Sequence, residues 1–252
     1  MILSQTSLGA GPSITYVHGF TQTKESWAPV IEQLEQDFSH CLLDAPGHGS
    51  SHDGKRSLHQ AGDDVAESMS TGVLVGYSMG ARIALHTALQ HPEKVTALVL
   101  ISGTAGIDDE DERSARRSSD EALAQRISDI GVESFIAEWL ANPMFSGLST
   151  ELADIAHRRI NTATGLGDSL RCAGTGTQEP LWNQLGKITI PVLLIAGEND
   201  QKFVNNARRM NDLLPNSDLH IMNGVGHTCH LEDITQFVNV FQNWLSGLKS
   251  DH

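Results

Sequence analysis

Residues 75–82 read VGYSMGAR, which places Ser78 between Gly76 and Gly80 in a G-x-S-x-G frame, with Arg82 four positions further on. A serine hydroxyl is a weak nucleophile or base until a histidine draws off its proton. That histidine in turn needs a carboxylate to hold its tautomer. Asp200, in the loop ENDQKF, and His227, in GVGHTCHLE, supply the pair in the order Ser, Asp, His. Glu198 and Asp233 are rival carboxylates, with Glu198 ranked second. His230 reads as a helix-start residue, and His18 and His48 read as loop-structuring. Backbone N–H groups aimed at a developing oxyanion would come from Met79, directly after the serine, and from Phe20 in the earlier loop HGF.

These groups work only if strands and helices deliver them to one place. A β-branched and apolar run at 13–19 predicts a strand, and 39–51 predicts a strand running into a Gly/Pro loop. The short apolar runs at 71–77, 95–103 and 188–197 read as strands buried on both faces, and 218–224 as a last one. Helices are expected over 27–36, 58–69, 79–92 and about 231–247, the third stopped by Pro92. Alternating strands and helices imply an α/β fold with a mostly parallel, doubly wound sheet. The glycines around Ser78 suit a sharp strand-to-helix turn, and the helix from Met79 points its positive end at the serine.

Residues 104–186 differ in character. They carry no strong strand signal, and they contain stretches such as DDEDERSARRSSDEA. The expected organisation is a core of 1–103 and 187–252 with a helical lid at 104–186. The lid holds Arg113, Arg116, Arg117, Arg126, Arg158, Arg159 and Arg171 and no lysine. Arginine's planar fork suits carboxylates. The plainer alternative is that these residues pair with the lid's own acids.

The bulk numbers set limits. The chain has 252 residues, 39% hydrophobic and 19% charged, with a net charge of −14. That suits one globular domain with an insertion and disfavours nucleic acid and anionic membrane as partners. No signal peptide or membrane-length apolar run is visible. Cys41, Cys172 and Cys229 are scattered, with no metal-ligand spacing. A reduced, cytoplasmic protein is the expectation.

In order, HGF, DAPGHGSS, GYSMGAR, GENDQKF and GVGHTCHLE resemble the α/β-hydrolase fold, and the resemblance covers nearly the whole chain. GYSMGAR, ERSARRSSD, FIAEWLANPMF and SLRCAGTGTQEPLW narrow it to the menaquinone-pathway 2-succinyl-6-hydroxy-2,4-cyclohexadiene-1-carboxylate synthases. That resemblance implies a lyase that eliminates pyruvate from a small anionic substrate with three carboxylates, with no metal or organic cofactor. It implies Arg82, Arg116 and Arg159 as carboxylate binders, Arg117 and Arg158 being adjacent alternatives. It also implies Trp139 and Phe145 as the lid side of the pocket and Tyr77 near the oxyanion. A carboxylesterase using the same three residues covalently is the rival reading. A non-catalytic binding protein of the same fold is a third, and it would require a damaged Ser-His-Asp set.

Overall fold

A computed structural model describes residues 1–34 and 37–248. Seven strands form one sheet: β1 (Gln5–Gly9), β2 (Ser13–Val17), β3 (Ser39–Leu43), β4 (Gly72–Tyr77), β5 (Val95–Ile101), β6 (Val192–Gly197) and β7 (Ser217–Met222). Their order across the sheet is β1-β3-β2-β4-β5-β6-β7. All pairings are parallel except β1 with β3. The apolar runs predicted as inner strands are buried along almost their whole length, as expected for strands covered on both faces.

The nine helices named here are α1 (Ala28–Ile31), α2 (Leu58–Ser68), α3 (Met79–Gln90), α4 (Glu110–Leu140), α5 (Ile155–Arg158), α6 (Ala163–Ala173), α7 (Gln201–Leu213), α8 (Cys229–Glu232) and α9 (Ile234–Leu248). Leu58, Val65, Ile83, Leu85, Val204 and Met210 bring α2, α3 and α7 onto one face of the sheet. Trp27, Ile31, Leu231, Phe237 and Phe241 bring α1, α8 and α9 onto the other. α2 starts on a reciprocal cap, with Gln60 N donating to Ser57 Oγ at 3.2 Å and Ser57 N to Gln60 Oε1 at 3.0 Å.

Three expectations change. β1 is a further strand, polar and exposed on the sheet edge. The helix expected over 27–36 is a 3₁₀ turn, Lys24–Trp27, followed by the short α1, and residues 35 and 36 lie outside the described residues. The last helix is broken at Asp233, whose Oδ1 accepts from Gln236 N at 2.9 Å and so starts α9 afresh.

Among the described residues, 104–186 contains no strand. α4 bends at Gly131, where φ is 78° and ψ 164°, and packs on α6 through a small core of Ala124, Ile127, Phe135, Leu166 and Leu170. No described helix is long and apolar enough to cross a membrane.

Candidate active site

β2 has β3 on one side and β4 on the other, so the chain passes from β2 to β3 on one side and then crosses back to β4 on the other. A crevice opens at the carboxyl ends of strands where this happens. Phe20 follows β2, Ser78 follows β4, Asp200 follows β6 and His227 follows β7. All four line one cavity of about 750 Å³ that the lid roofs.

Ser78 sits at φ 52°, ψ −104°, a conformation a side chain seldom adopts. Its amide donates to Ile101 O at 2.9 Å, which anchors the turn to β5. The neighbouring glycines are needed for close approach. A Cβ on Gly76 would meet Gly80 O at 2.4 Å, and one on Gly80 would meet Val17 O at 2.1 Å. Met79 opens α3, so its amide has no acceptor within the helix, and the residue lines the same cavity as Ser78.

His227 Nε2 lies 3.1 Å from Ser78 Oγ, and His227 Nδ1 lies 2.6 Å from Asp200 Oδ2. The imidazole is almost wholly buried. Its backbone is clamped from both sides. Glu232 Oε2 accepts from Gly226 N at 2.7 Å, and Glu232 Oε1 accepts from Thr228 N at 3.0 Å and from Thr228 Oγ1 at 2.7 Å. Ser102 Oγ donates to His227 O at 2.8 Å. The rival carboxylates are engaged elsewhere, Glu198 with Gly224 N at 2.9 Å and Asp233 at the start of α9.

The loop bearing Phe20 is equally constrained. Gln22 Oε1 accepts from Gly19 N at 2.9 Å, and Gln22 N donates to Gly19 O at 3.2 Å. His18 Nε2 accepts from Ala45 N at 3.1 Å while Nδ1 donates to Gly19 O at 2.8 Å, which fixes a neutral tautomer. Burial holds His18 down at about 4. Burial, aided by His18, holds His48 at about 3. His230 packs against Tyr77 at 4.3 Å and Trp27 at 4.9 Å, and burial brings it to about 3. Tyr77 is buried against His227 with ring centroids 5.5 Å apart, and burial raises its hydroxyl well above the usual range, so it stays a neutral phenol.

Aromatic contacts run from the oxyanion loop through the lid to the histidine. Phe20 meets Trp139 at 5.3 Å, Trp139 meets Phe145 at 5.8 Å, and Phe145 meets His227 at 6.2 Å.

The arginines divide sharply. Arg113 and Arg117 pair with Glu110, Arg126 with Glu138, and Arg171 with Glu121, so on these four the lid's own acids win. Arg159 is half exposed, pairs with Glu133 at 2.7 Å and does not line the cavity. Its neighbour Arg158 is buried, lines the cavity and donates to Ala153 O at 2.6 Å and to Thr21 Oγ1. The interior position expected for Arg159 therefore belongs to Arg158. Asp154, in the left-handed region at φ 51°, precedes the single turn α5, on which Arg158 is the buried residue. Arg116 lines the cavity and is tied to Asp120 at 2.8 Å. Arg82 is 7% exposed, lines the cavity and donates to Ala173 O at 2.7 Å. Burial, then the nearby Arg116 charge, brings Arg82 to about 10, so it remains a cation at neutral pH. α7 adds Lys202, Asn206 and Arg209 to the wall, three residues the sequence reading did not select.

Residues 12–234 match the alpha/beta hydrolase fold family. A Bacillus subtilis (strain 168) protein, provisionally named 2-succinyl-6-hydroxy-2,4-cyclohexadiene-1-carboxylate synthase, is 36% identical over 95% of this chain and 92% of its own length. An Enterobacter sp. (strain 638) protein with that synthase name is 31% identical over 88% of this chain and 87% of its own. The chain belongs to the α/β-hydrolase family, in its 2-succinyl-6-hydroxy-2,4-cyclohexadiene-1-carboxylate synthase branch. Among solved structures, MenH from S. aureus superposes with a TM-score of 0.86 at 30% identity, covering 96% of this chain and 98% of that one. A thermophilic esterase from Thermogutta terrifontis superposes at 0.81 with 21% identity, a likeness of fold alone.

Proposed function

We propose that this enzyme is a lyase that eliminates pyruvate from 2-succinyl-5-enolpyruvyl-6-hydroxy-3-cyclohexene-1-carboxylate, using Ser78, His227 and Asp200 as its base system. The observation that carries this is Arg82. A buried cation is costly unless something compensates it. No carboxylate of the described residues forms an ion pair with Arg82, yet it stands one helical turn from Ser78 in the cavity wall. A polycarboxylate substrate supplies the missing anion; a neutral ester does not.

The relay then runs as proton transfer. Asp200 holds Nδ1–H of His227, which leaves Nε2 free to take the Ser78 proton. Ser78 Oγ takes the proton from the ring carbon that bears the succinyl group. Charge moves onto the succinyl carbonyl oxygen, where the Phe20 and Met79 amides can meet it. The electron pair returns through the ring and breaks the C–O bond to the enolpyruvyl group. The departing enolate gains a proton at carbon and leaves as pyruvate, and a conjugated diene remains. No group of three or more His, Cys, Asp or Glu among the described residues is placed to hold a metal ion.

The deciding experiment measures pyruvate release from freshly prepared substrate, with p-nitrophenyl esters of several chain lengths alongside. Enzymatic release lost in Ser78→Ala supports the lyase. Release at the spontaneous rate with brisk ester turnover overturns it and leaves an esterase built on the same three residues.

A further inference from the structure

Five cations line the cavity: Arg82, Arg116, Arg158, Lys202 and Arg209. Two are already neutralised, Arg116 by Asp120 and Arg209 by Asp108. Three have no ion pair among the described residues, and the substrate proposed above carries three carboxylates. Arg82, on α3, and Arg158, on α5 of the lid, are buried. The third, Lys202, belongs to a different wall.

Lys202 lies two residues after Asp200, at the start of α7. Its ammonium sits 5.8 Å from the Phe203 ring centroid, and that ring packs on His227 at 4.5 Å. Asn206 and Arg209 follow at i+4 and i+7, so the three share one helix face. All three line the cavity. Arg209 cannot turn freely toward a ligand, because its guanidinium is stacked 3.8 Å over Trp182 and paired with Asp108 at 2.5 Å. Lys202 keeps three rotatable donors on a flexible stem, and the Asn206 amide adds two more beside it.

We infer that Lys202 and Asn206, on α7, form a second anionic subsite that takes the distal carboxylate of the substrate's succinyl arm and so selects dicarboxylate over monocarboxylate acyl groups. This rests on the proposed lyase reading for the identity of the arm, and the binding test below does not. The subsite is specificity-determining rather than catalytic. It holds the end of the arm whose carbonyl lies at the oxyanion amides.

The test compares wild type with Lys202→Met, which keeps the stem and removes the charge, and Lys202→Arg, which restores it. Two readouts are used. In pyruvate release, Lys202→Met should raise KM roughly tenfold while kcat stays within about twofold, and Lys202→Arg should recover most of the KM. In calorimetric titration of the purified protein, wild type should bind succinate more tightly than butyrate, and Lys202→Met should narrow that preference several-fold while leaving butyrate affinity unchanged. An unchanged KM in Lys202→Met, or a fall in kcat alone, overturns the subsite. So does a succinate preference that is undiminished in Lys202→Met, or its absence in wild type. If wild type releases no pyruvate the lyase reading fails, and the titration still decides the subsite by itself.

Discussion

Arg82 donates to the carbonyl of Ala173, the last residue of α6, across a distance of 2.7 Å. The final carbonyls of a helix lack intrahelical donors and carry the negative end of its dipole, so they steady a cation without discharging it. The guanidinium keeps donors to spare and remains in the cavity wall. Arg82→Met should therefore lower kcat/KM for pyruvate release by about 100-fold, or about 2.7 kcal/mol. Background cleavage of an uncharged ester should change by less than about threefold. Stopped assays of both reactions on one preparation check this. Equal losses in the two would mean that Arg82 shapes the site rather than binding substrate.

Glu232 shows how the histidine is held. Its two oxygens grip the amides on either side of His227, one oxygen each. A glutamine can accept on one side only, and its NH₂ would oppose the other N–H. Glu232→Gln should cost about tenfold in kcat with KM nearly unchanged, because the imidazole loses register with Ser78 while the substrate-binding groups stay in place. A rise in KM with kcat intact would assign Glu232 to substrate binding instead.

Much of this centre could be read from the sequence, for a physical reason. Inner parallel strands such as β4 and β6 are apolar throughout, so their ends are sharp, and Ser78 and Asp200 just past them stand out. His227 follows the edge strand β7, SDLHIM, and is found from the loop GVGHTCHLE and its place in the Ser, Asp, His order. β1 escaped because an exposed edge strand needs no apolar pattern; its QTSLG is polar, and its pairing is set by β3. The choice between Arg158 and Arg159 also escaped. A four-residue turn is too short for periodicity to fix a face. Lys202 and Arg209 were hidden for a related reason: which face α7 shows to the cavity depends on where its packing against β6 and β7 leaves the helix.

The buried histidines predict acid lability. His18, near 4, and His48 and His230, near 3, all lie below the ordinary 6.5. Unfolded, each binds a proton as pH falls through about 6.5; folded, each refuses it until the lower value. Their contribution is thus fully present above about pH 6.5 and is lost as pH drops toward 4 for His18 and toward 3 for His48 and His230. Each costs up to about 1.4 kcal/mol of stability per pH unit in that window. Urea unfolding at pH 7, 6, 5.5 and 5 should show this slope, and His230→Phe should reduce it by about one proton. A pH-independent unfolding free energy across the window would contradict the neutral, buried assignment.

Arg158 and Arg159 make the most direct comparison, since they are adjacent and carry the same charge. Arg159 meets Glu133 at the surface, and exposed pairs of this kind contribute little. Arg159→Ala should leave kcat/KM and melting temperature almost unchanged. Arg158 reaches into the cavity and donates to Thr21, whose own φ of 67° is unusual for a β-branched residue and lies next to Phe20. Asn161 Nδ2 donates to Thr21 O in the same loop at 2.7 Å, and its Oδ1 accepts from Gly49 N, in the loop after β3, at 2.8 Å. Loss of Arg158 therefore removes one of the cavity's cations, which the proposed reading assigns to the substrate, and slackens the loop that bears Phe20. Arg158→Ala should cut kcat/KM by about 100-fold or more. Arg158→Lys, which keeps the charge but not the fork, should fall between the two, with KM closer to wild type than kcat. Reversed sensitivities, with Arg159 the critical residue, would mean that the lid rotates α5 by a full residue when substrate binds.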